Sequence, residues 1–376
     1  MNPKRLILPL IALIAVLAAL VLFLNKAMSV GAAKPQEPAL PLPYHVEDVV
    51  FTNDKAGITL AGTLTLPAQN GTFPAVILIS GSGPQNRDEE LAGHRPFLVL
   101  SDHLTRNGIA VLRYDDRGVG KSTGDFKAAI LDDFASDVRS ALRYLRSREE
   151  INQNKIGLIG HSEGGIIAPM VATSDEVDFI VLLAGPGIKT IDLLPMQHEL
   201  IARSAGATQE DAAIVRQVSS ELFKIVLAYD NSDLLDAKIT EYVNLHWEKI
   251  KMPGMPSDMT KERFISMNQK VLSTPWFKQV LRYDPAPVLE RVECPVLALN
   301  GMNDVQVPSK ENLAAIGNAL AQGGNTNVTV KELPGLNHLF QECDTGALTE
   351  YAKIQQTFSP VALREISEWV VETSGR

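Results

Sequence analysis

Residues 155–172 read KIGLIGHSEGGIIAPMVA. Residues 155–159 have the apolar character of a buried strand, and 165–172 continue as a helix with Pro169 in its early turns. Between them, Gly160-His161-Ser162-Glu163-Gly164 fits Gly-x-Ser-x-Gly in the strand–turn–helix setting that gives this pattern meaning. So sharp a reversal forces Ser162 into a strained backbone conformation. Glycines two before and two after it let strand and helix approach without Cβ clashes. The amino end of the helix aims its dipole at the same point, which favours a developing oxyanion.

Outward from this stretch, strands and helices alternate. Short apolar runs at 75–79, 109–113, 156–159, 179–183 and 296–299 have the composition of strands buried on both faces. Residues 132–148 place Phe134, Val138, Leu142 and Leu145 on one helical stripe. The alternation predicts a mostly parallel, doubly wound sheet with helices on both faces. Ahead of it, 46–52 and 58–67 read as a hairpin around Asp54-Lys55-Ala56-Gly57. Residues 190–285 break the rhythm, with helical periodicity, a capping-box start at Thr208-x-x-Asp211 and Pro/Met-rich breaks at 252–256. This stretch is expected to be a helical cap inserted into a core of 45–189 and 286–376. Insertions of this kind close pockets and exclude water; the alternative is a plain structural excursion.

A serine hydroxyl is a poor nucleophile at neutral pH and needs a base, itself oriented by an acid. In such a sheet both come from later strand ends, in the order Ser, acid, His. Residues 295–299 run into Asn300-Gly301-Met302-Asn303-Asp304, which puts Asp304 in the turn after a strand. A strand over 328–333 leads to Asn337-His338, and His338 follows the last strand as a base should. Asp284 precedes its strand and Asp344 follows the histidine, so both alternatives to Asp304 fall in the wrong place. The oxyanion needs two N–H donors: the backbone of Glu163, and that of Ser82 in Ser80-Gly81-Ser82-Gly83-Pro84, with Gly83 as the neighbouring choice. Trp276-Phe277, near the end of the insertion, either lines an acyl pocket or packs the cap onto the core. Gly118-Val119-Gly120-Lys121-Ser122-Thr123 imitates the end of a phosphate loop. Asp115 stands where its first glycine belongs, and Gly124-Asp125 follows in place of a helix.

Taken together, these segments resemble the α/β-hydrolases, and among them the bacterial carboxylesterase-like branch near the serine aminopeptidases and prolyl-oligopeptidase-type hydrolases. The resemblance spans 45–376. It is carried by Gly81-Ser82-Gly83-Pro84 with Arg87-Asp88, Tyr114-Asp115-Asp116-Arg117-Gly118-x-Gly120, Gly160 to Gly165, Asn300-Gly301-x-x-Asp304 and Asn337-His338. It implies the α/β-hydrolase fold and a serine esterase acting on small carboxylic esters of modest acyl chain, with Ser162, Asp304 and His338 as triad. A peptidase or thioesterase would use the same triad. A non-catalytic anchored binding protein is the reading from another class. The sequence departs from many relatives in carrying Ser80 where they have histidine before the glycine, and in its long apolar amino terminus.

That terminus is an uncharged run over residues 6–24 behind Lys4 and Arg5. At 1.5 Å per residue it matches the roughly 30 Å hydrocarbon core of a bilayer. Residues 1–26 are read as a signal-anchor or, with small residues at Val30-Gly31-Ala32-Ala33, as a cleaved signal peptide. Residues 27–44, with Pro35, Pro38, Pro41 and Pro43, form a stiff linker. The flanking bases favour a cytoplasmic amino end and a body outside the cytoplasm, anchored to the membrane or exported. The four bases of residues 1–34 leave 31 bases against 44 acids in the remainder, a balance that repels nucleic-acid backbones. Two cysteines, Cys294 and Cys343, make no disulfide framework; they are expected at opposite ends of the sheet and unpaired. With no Cys-x-x-Cys and no His-Glu-x-x-His, neither metal nor other cofactor is expected, and no feature points to a protein partner.

Overall fold

The computed structural model describes residues 34–251 and 258–375, so the apolar terminal run and the break at 252–256 lie outside the described residues. Eight described strands form one sheet. β1 (His45–Asn53) and β2 (Ile58–Leu66) make the expected hairpin, with Gly57 at φ +66° in its turn. β3 (Phe73–Ile79), β4 (Ala110–Tyr114), β5 (Ile151–His161), β6 (Phe179–Leu183), β7 (Val296–Gly301) and β8 (Val328–Leu333) follow, in the spatial order β1-β2-β4-β3-β5-β6-β7-β8. β2 runs antiparallel to β1 and β4, and the remaining pairs are parallel. β5 starts earlier than its apolar run predicts because Ile151 pairs with Phe73 across a register shift, and it extends to His161.

The strand period of two divides the core. Ala75, Ile77 and Ile79 join the apolar cluster under α2 (Leu131–Arg146), α3 (Gly164–Ala172) and α10 (Ser309–Gln322), while Val76 and Leu78 face the cluster under α1 (Pro96–Arg106) and α11 (Pro360–Thr373). Each fully buried Ile or Leu of these strands contributes about 1.5–3 kcal/mol. Such two-sided burial explains why the runs are continuously apolar. α1 carries the chain from β3 to β4, and α2 carries it back past β3 to β5, so the loops leaving β3 and β5 diverge. A doubly wound sheet opens its binding crevice at such a switch point, on the carboxyl side of the strands.

Between β6 and β7 lie α4 (Thr190–Ser204), α5 (Gln209–Ala228), α6 (Ser232–Ile250), α7 (Lys261–Leu272), α8 (Pro275–Arg282) and the short α9 (Ala286–Leu289). Thr208 caps α5 by accepting the Asp211 N–H at 3.1 Å. Leu222, Phe223, Ile239, Val243 and Phe264 belong to an apolar cluster separate from those of the sheet. The insertion is clasped at its base. Thr190 N–H donates to the Tyr283 carbonyl at 3.2 Å, the Thr190 hydroxyl bonds the Val280 carbonyl, and Lys189 meets Asp284 at 3.2 Å.

Candidate active site

Ser162 sits at φ +52°, a left-handed conformation that costs a non-glycine residue about 1–3 kcal/mol. The turn around it over-determines that conformation. Ser162 N–H donates to the Leu183 carbonyl and Gly165 N–H to the Ser162 carbonyl, both at 2.9 Å. A Cβ on Gly160 would stand 2.0 Å from the Gly164 carbonyl oxygen, and one on Gly164 would stand 2.2 Å from that of Ile79. Both contacts are with backbone, which cannot yield as a side chain would, so both positions require glycine.

The loops after β7 and β8 bring Asp304 and His338 together: His338 Nδ1 donates to Asp304 Oδ2 at 2.7 Å, with both side chains buried. Asp304 Oδ1 accepts the N–H groups of Gln306 and Val307 at 2.7 and 2.9 Å. With Nδ1 committed to the carboxylate, Nε2 is the nitrogen left to exchange a proton. His161 joins this pair to the serine turn. Its ring centroid lies 4.8 Å from that of His338, and its Nε2 is 2.9 Å from the His338 carbonyl oxygen. Of the other two acids, Asp284 is held at the base of the insertion and Asp344 is exposed.

The loop after β3 passes directly over the serine, since a Cβ on Gly81 would lie 3.2 Å from that of Ser162. Gly81 N–H is taken by Glu89 Oε1 at 2.7 Å. Among the described residues, neither Ser82 N–H nor Glu163 N–H has a hydrogen-bond acceptor. These are the two N–H groups that the sequence singles out.

Four neighbours escaped the sequence. The sequence points to the backbone of Glu163, yet its buried side chain accepts the Ser82 hydroxyl at 3.3 Å and the Trp276 indole N–H at 3.0 Å, both on Oε2. Burial raises its pKa to about 7, against the opposing pull of those two donors. Trp276 and Phe277 separate: the first reaches Glu163 from α8, while the second is buried against Phe223 in the insertion. Asp116 is buried and accepts Gln85 N–H and the Ser80 hydroxyl, each at 3.0 Å; burial pushes its carboxyl well up, and Glu163 and Asp137 add to the rise. Ser80, Tyr114, Asp116 and Glu163 line a small cavity with room for about one water molecule. His161 and Glu89 form the remaining cluster. No spacing rule points to Glu89, and the serine motif assigns no role to the side chains at its x positions.

The phosphate-loop imitation at Gly118–Thr123 wraps a carboxylate. Asp115 accepts Lys121 N–H at 3.1 Å and two Arg87 side-chain nitrogens at 3.0 and 2.9 Å, and a Cβ on Gly120 would stand 2.4 Å from its Oδ2. The amide that a phosphate would need is already taken. Among the described residues, no group of three His, Cys, Asp or Glu is arranged to hold a metal ion, and no helix is long and apolar enough to cross a membrane.

Comparison with known proteins agrees with this architecture. The family described as serine aminopeptidase, S33, matches residues 96–242. Esterase EstD of Thermotoga maritima is 26% identical over 335 residues, covering 88% of this chain and 70% of its own. Among solved structures, the Pyrococcus furiosus esterase Pf2001 aligns with a TM-score of 0.53 at 17% identity, over 91% of this chain and 94% of its own. The α/β-hydrolase GrgF from Penicillium sp. sh18 gives 0.54 at 17% identity, over 88% of this chain and all of its own. The chain has the α/β-hydrolase fold. The family match and the esterase relative are both similarities to hydrolases.

Proposed function

We propose that the protein is a serine carboxylesterase acting on small-molecule esters. Ser162 attacks the ester carbonyl, and His338 Nε2 takes its proton and returns it to the leaving alkoxide. Asp304 orients His338, and the N–H groups of Glu163 and Ser82 receive the oxyanion. Water then cleaves the acyl-enzyme by the same steps in reverse order. The observation that carries the reading is the strained serine turn, at φ +52°, set beside a buried His338–Asp304 pair with a 2.7 Å hydrogen bond. Cleavage of an amide is the second reading, favoured by the aminopeptidase description matched over residues 96–242. The test is fluorophosphonate labelling of wild type and Ser162→Ala, followed by a panel of esters, thioesters and aminoacyl amides. Labelling that persists in Ser162→Ala refutes the triad; faster turnover of aminoacyl amides than of esters replaces the esterase with an aminopeptidase.

The apolar run at residues 6–24 supports a further part of the proposal: the catalytic body lies outside the cytoplasm, anchored through that run or exported after its cleavage. Protease accessibility of the body in intact spheroplasts tests this, and protection from protease rejects it.

A further inference from the structure

One ring links the serine turn to two other loops of the candidate site. His161 closes β5 beside Ser162, and its imidazole is buried. Its Nδ1 is 2.9 Å from Glu89 Oε1, and its Nε2 is 2.9 Å from the His338 carbonyl oxygen. The same Glu89 Oε1 accepts Gly81 N–H at 2.7 Å. The ring therefore connects the loop after β3, which carries Ser82, with the loop after β8, which carries His338.

The partners fix the ring's protonation. The His338 carbonyl only accepts, so Nε2 must donate. Across from Nδ1, one proton lies between an imidazole and a carboxyl group, and the imidazole is the stronger base. A neutral ring donating from Nε2 would set its Nδ1 lone pair against the Glu89 carboxylate. One donating from Nδ1 would set its Nε2 lone pair against a carbonyl.

We infer that His161 and Glu89 form a buried imidazolium–carboxylate pair that positions the His338 loop and the Ser82 loop about Ser162. This role rests on the triad reading above. His338 and Asp304 are the other ionisable groups facing the ring, and the Phe340 ring packs at 6.4 Å. Burial disfavours the charge on His161, yet the Glu89 carboxylate, the His338 carbonyl and Asp304 outweigh it and raise the pKa above 6.5. His161 and Glu89 are positioning residues: in this reading the reacting atoms meet Ser162, His338 and the two N–H donors.

The test has two arms on the full-length protein. In the first, histidine-labelled wild type is followed by long-range ¹H–¹⁵N spectra of the imidazole rings, with His161 assigned by its loss in His161→Gln. Both ring nitrogens are expected to carry protons at neutral pH; a neutral tautomer there overturns the inference. In the second, Glu89→Gln keeps an oxygen for Gly81 N–H and removes the charge. Its kcat is expected to fall about 10- to 100-fold, with KM for a short ester little changed and fluorophosphonate labelling slowed in parallel. Wild-type kcat in Glu89→Gln overturns the inference. The two readings fail separately. Wild type that does not label at Ser162 overturns the triad and the positioning role with it, whereas a neutral His161 or an unaffected Glu89→Gln, in protein that labels, overturns this inference alone.

Discussion

Replacing Glu163 by Gln removes one ionisable group while leaving an oxygen for the Trp276 indole and the Ser82 hydroxyl. The consequence for stability follows from burial. In the unfolded chain this carboxyl titrates near 4.5, and in the folded protein burial raises it to about 7. The folded state thus holds its proton more tightly, and the stability this confers is full below the unfolded value. It is lost as pH rises through the folded one. Over a window from 4.5 to about 7, the loss is roughly 3 kcal/mol. Gln has no such loss, so the stability of Glu163→Gln relative to wild type should climb by roughly that amount across the window. The assay is urea unfolding of both proteins in parallel buffers from acid to mildly alkaline pH. Other groups titrate in both and largely cancel, although Asp116, which interacts with Glu163, loses a like-charged neighbour in the variant. Stability curves that run parallel would refute the argument, and a difference of opposite sign would mean that a cation compensates Glu163.

Three further outcomes are expected. Ser162→Ala and His338→Ala should each lower kcat by about 10⁶, and Asp304→Asn by about 10⁴, with unchanged circular dichroism; near-wild-type turnover in Asp304→Asn would remove the acid from the triad. Thiol titration of the unfolded, unreduced protein should find both Cys294 and Cys343 free. In the native state Cys294 should react slowly, since burial pushes its thiol up to about 12; a rapid native reaction would refute that burial. Trp276→Phe should shift the ratio of kcat/KM between short and longer acyl esters, because the indole lies on Glu163 beside Ser162. An unchanged ratio would leave Trp276 with a packing role only.

The parts of the fold that were legible in the sequence depend on local rules. The β5 turn could be read because a strained serine demands Gly160 and Gly164 within four residues, and both would clash with backbone if substituted. Asp304 and His338 could be read because a doubly wound sheet delivers its functional loops at strand ends, in order. The Glu89–His161 contact spans 72 positions and the Glu163–Trp276 contact 113, and both depend on how loops fold over one another. No periodicity encodes such an approach. The aromatic pair at 276–277 illustrates the limit. Adjacent residues on a helix point about 100° apart, so Phe277 enters the insertion's core while Trp276 reaches Glu163, and composition alone could not divide them.

That division bears on how the insertion and the Ser162 turn are coupled. The Trp276 indole N–H donates to Glu163 Oε2 at 3.0 Å, and this bond holds the Glu163 pKa down against the effect of burial. Linkage makes the relation reciprocal: a contact that favours the carboxylate must itself be favoured by the carboxylate. Trp276 on α8 acts on Glu163 in two opposed ways: its N–H favours the carboxylate, while the burial to which it contributes favours the acid and is the larger effect. An indole N–H to a charged oxygen is also the stronger kind of hydrogen bond, so Glu163 grips the insertion more firmly when ionised. Glu163 supplies one of the two proposed oxyanion donors through its own N–H, and a negative side chain on that residue opposes the charge those donors receive.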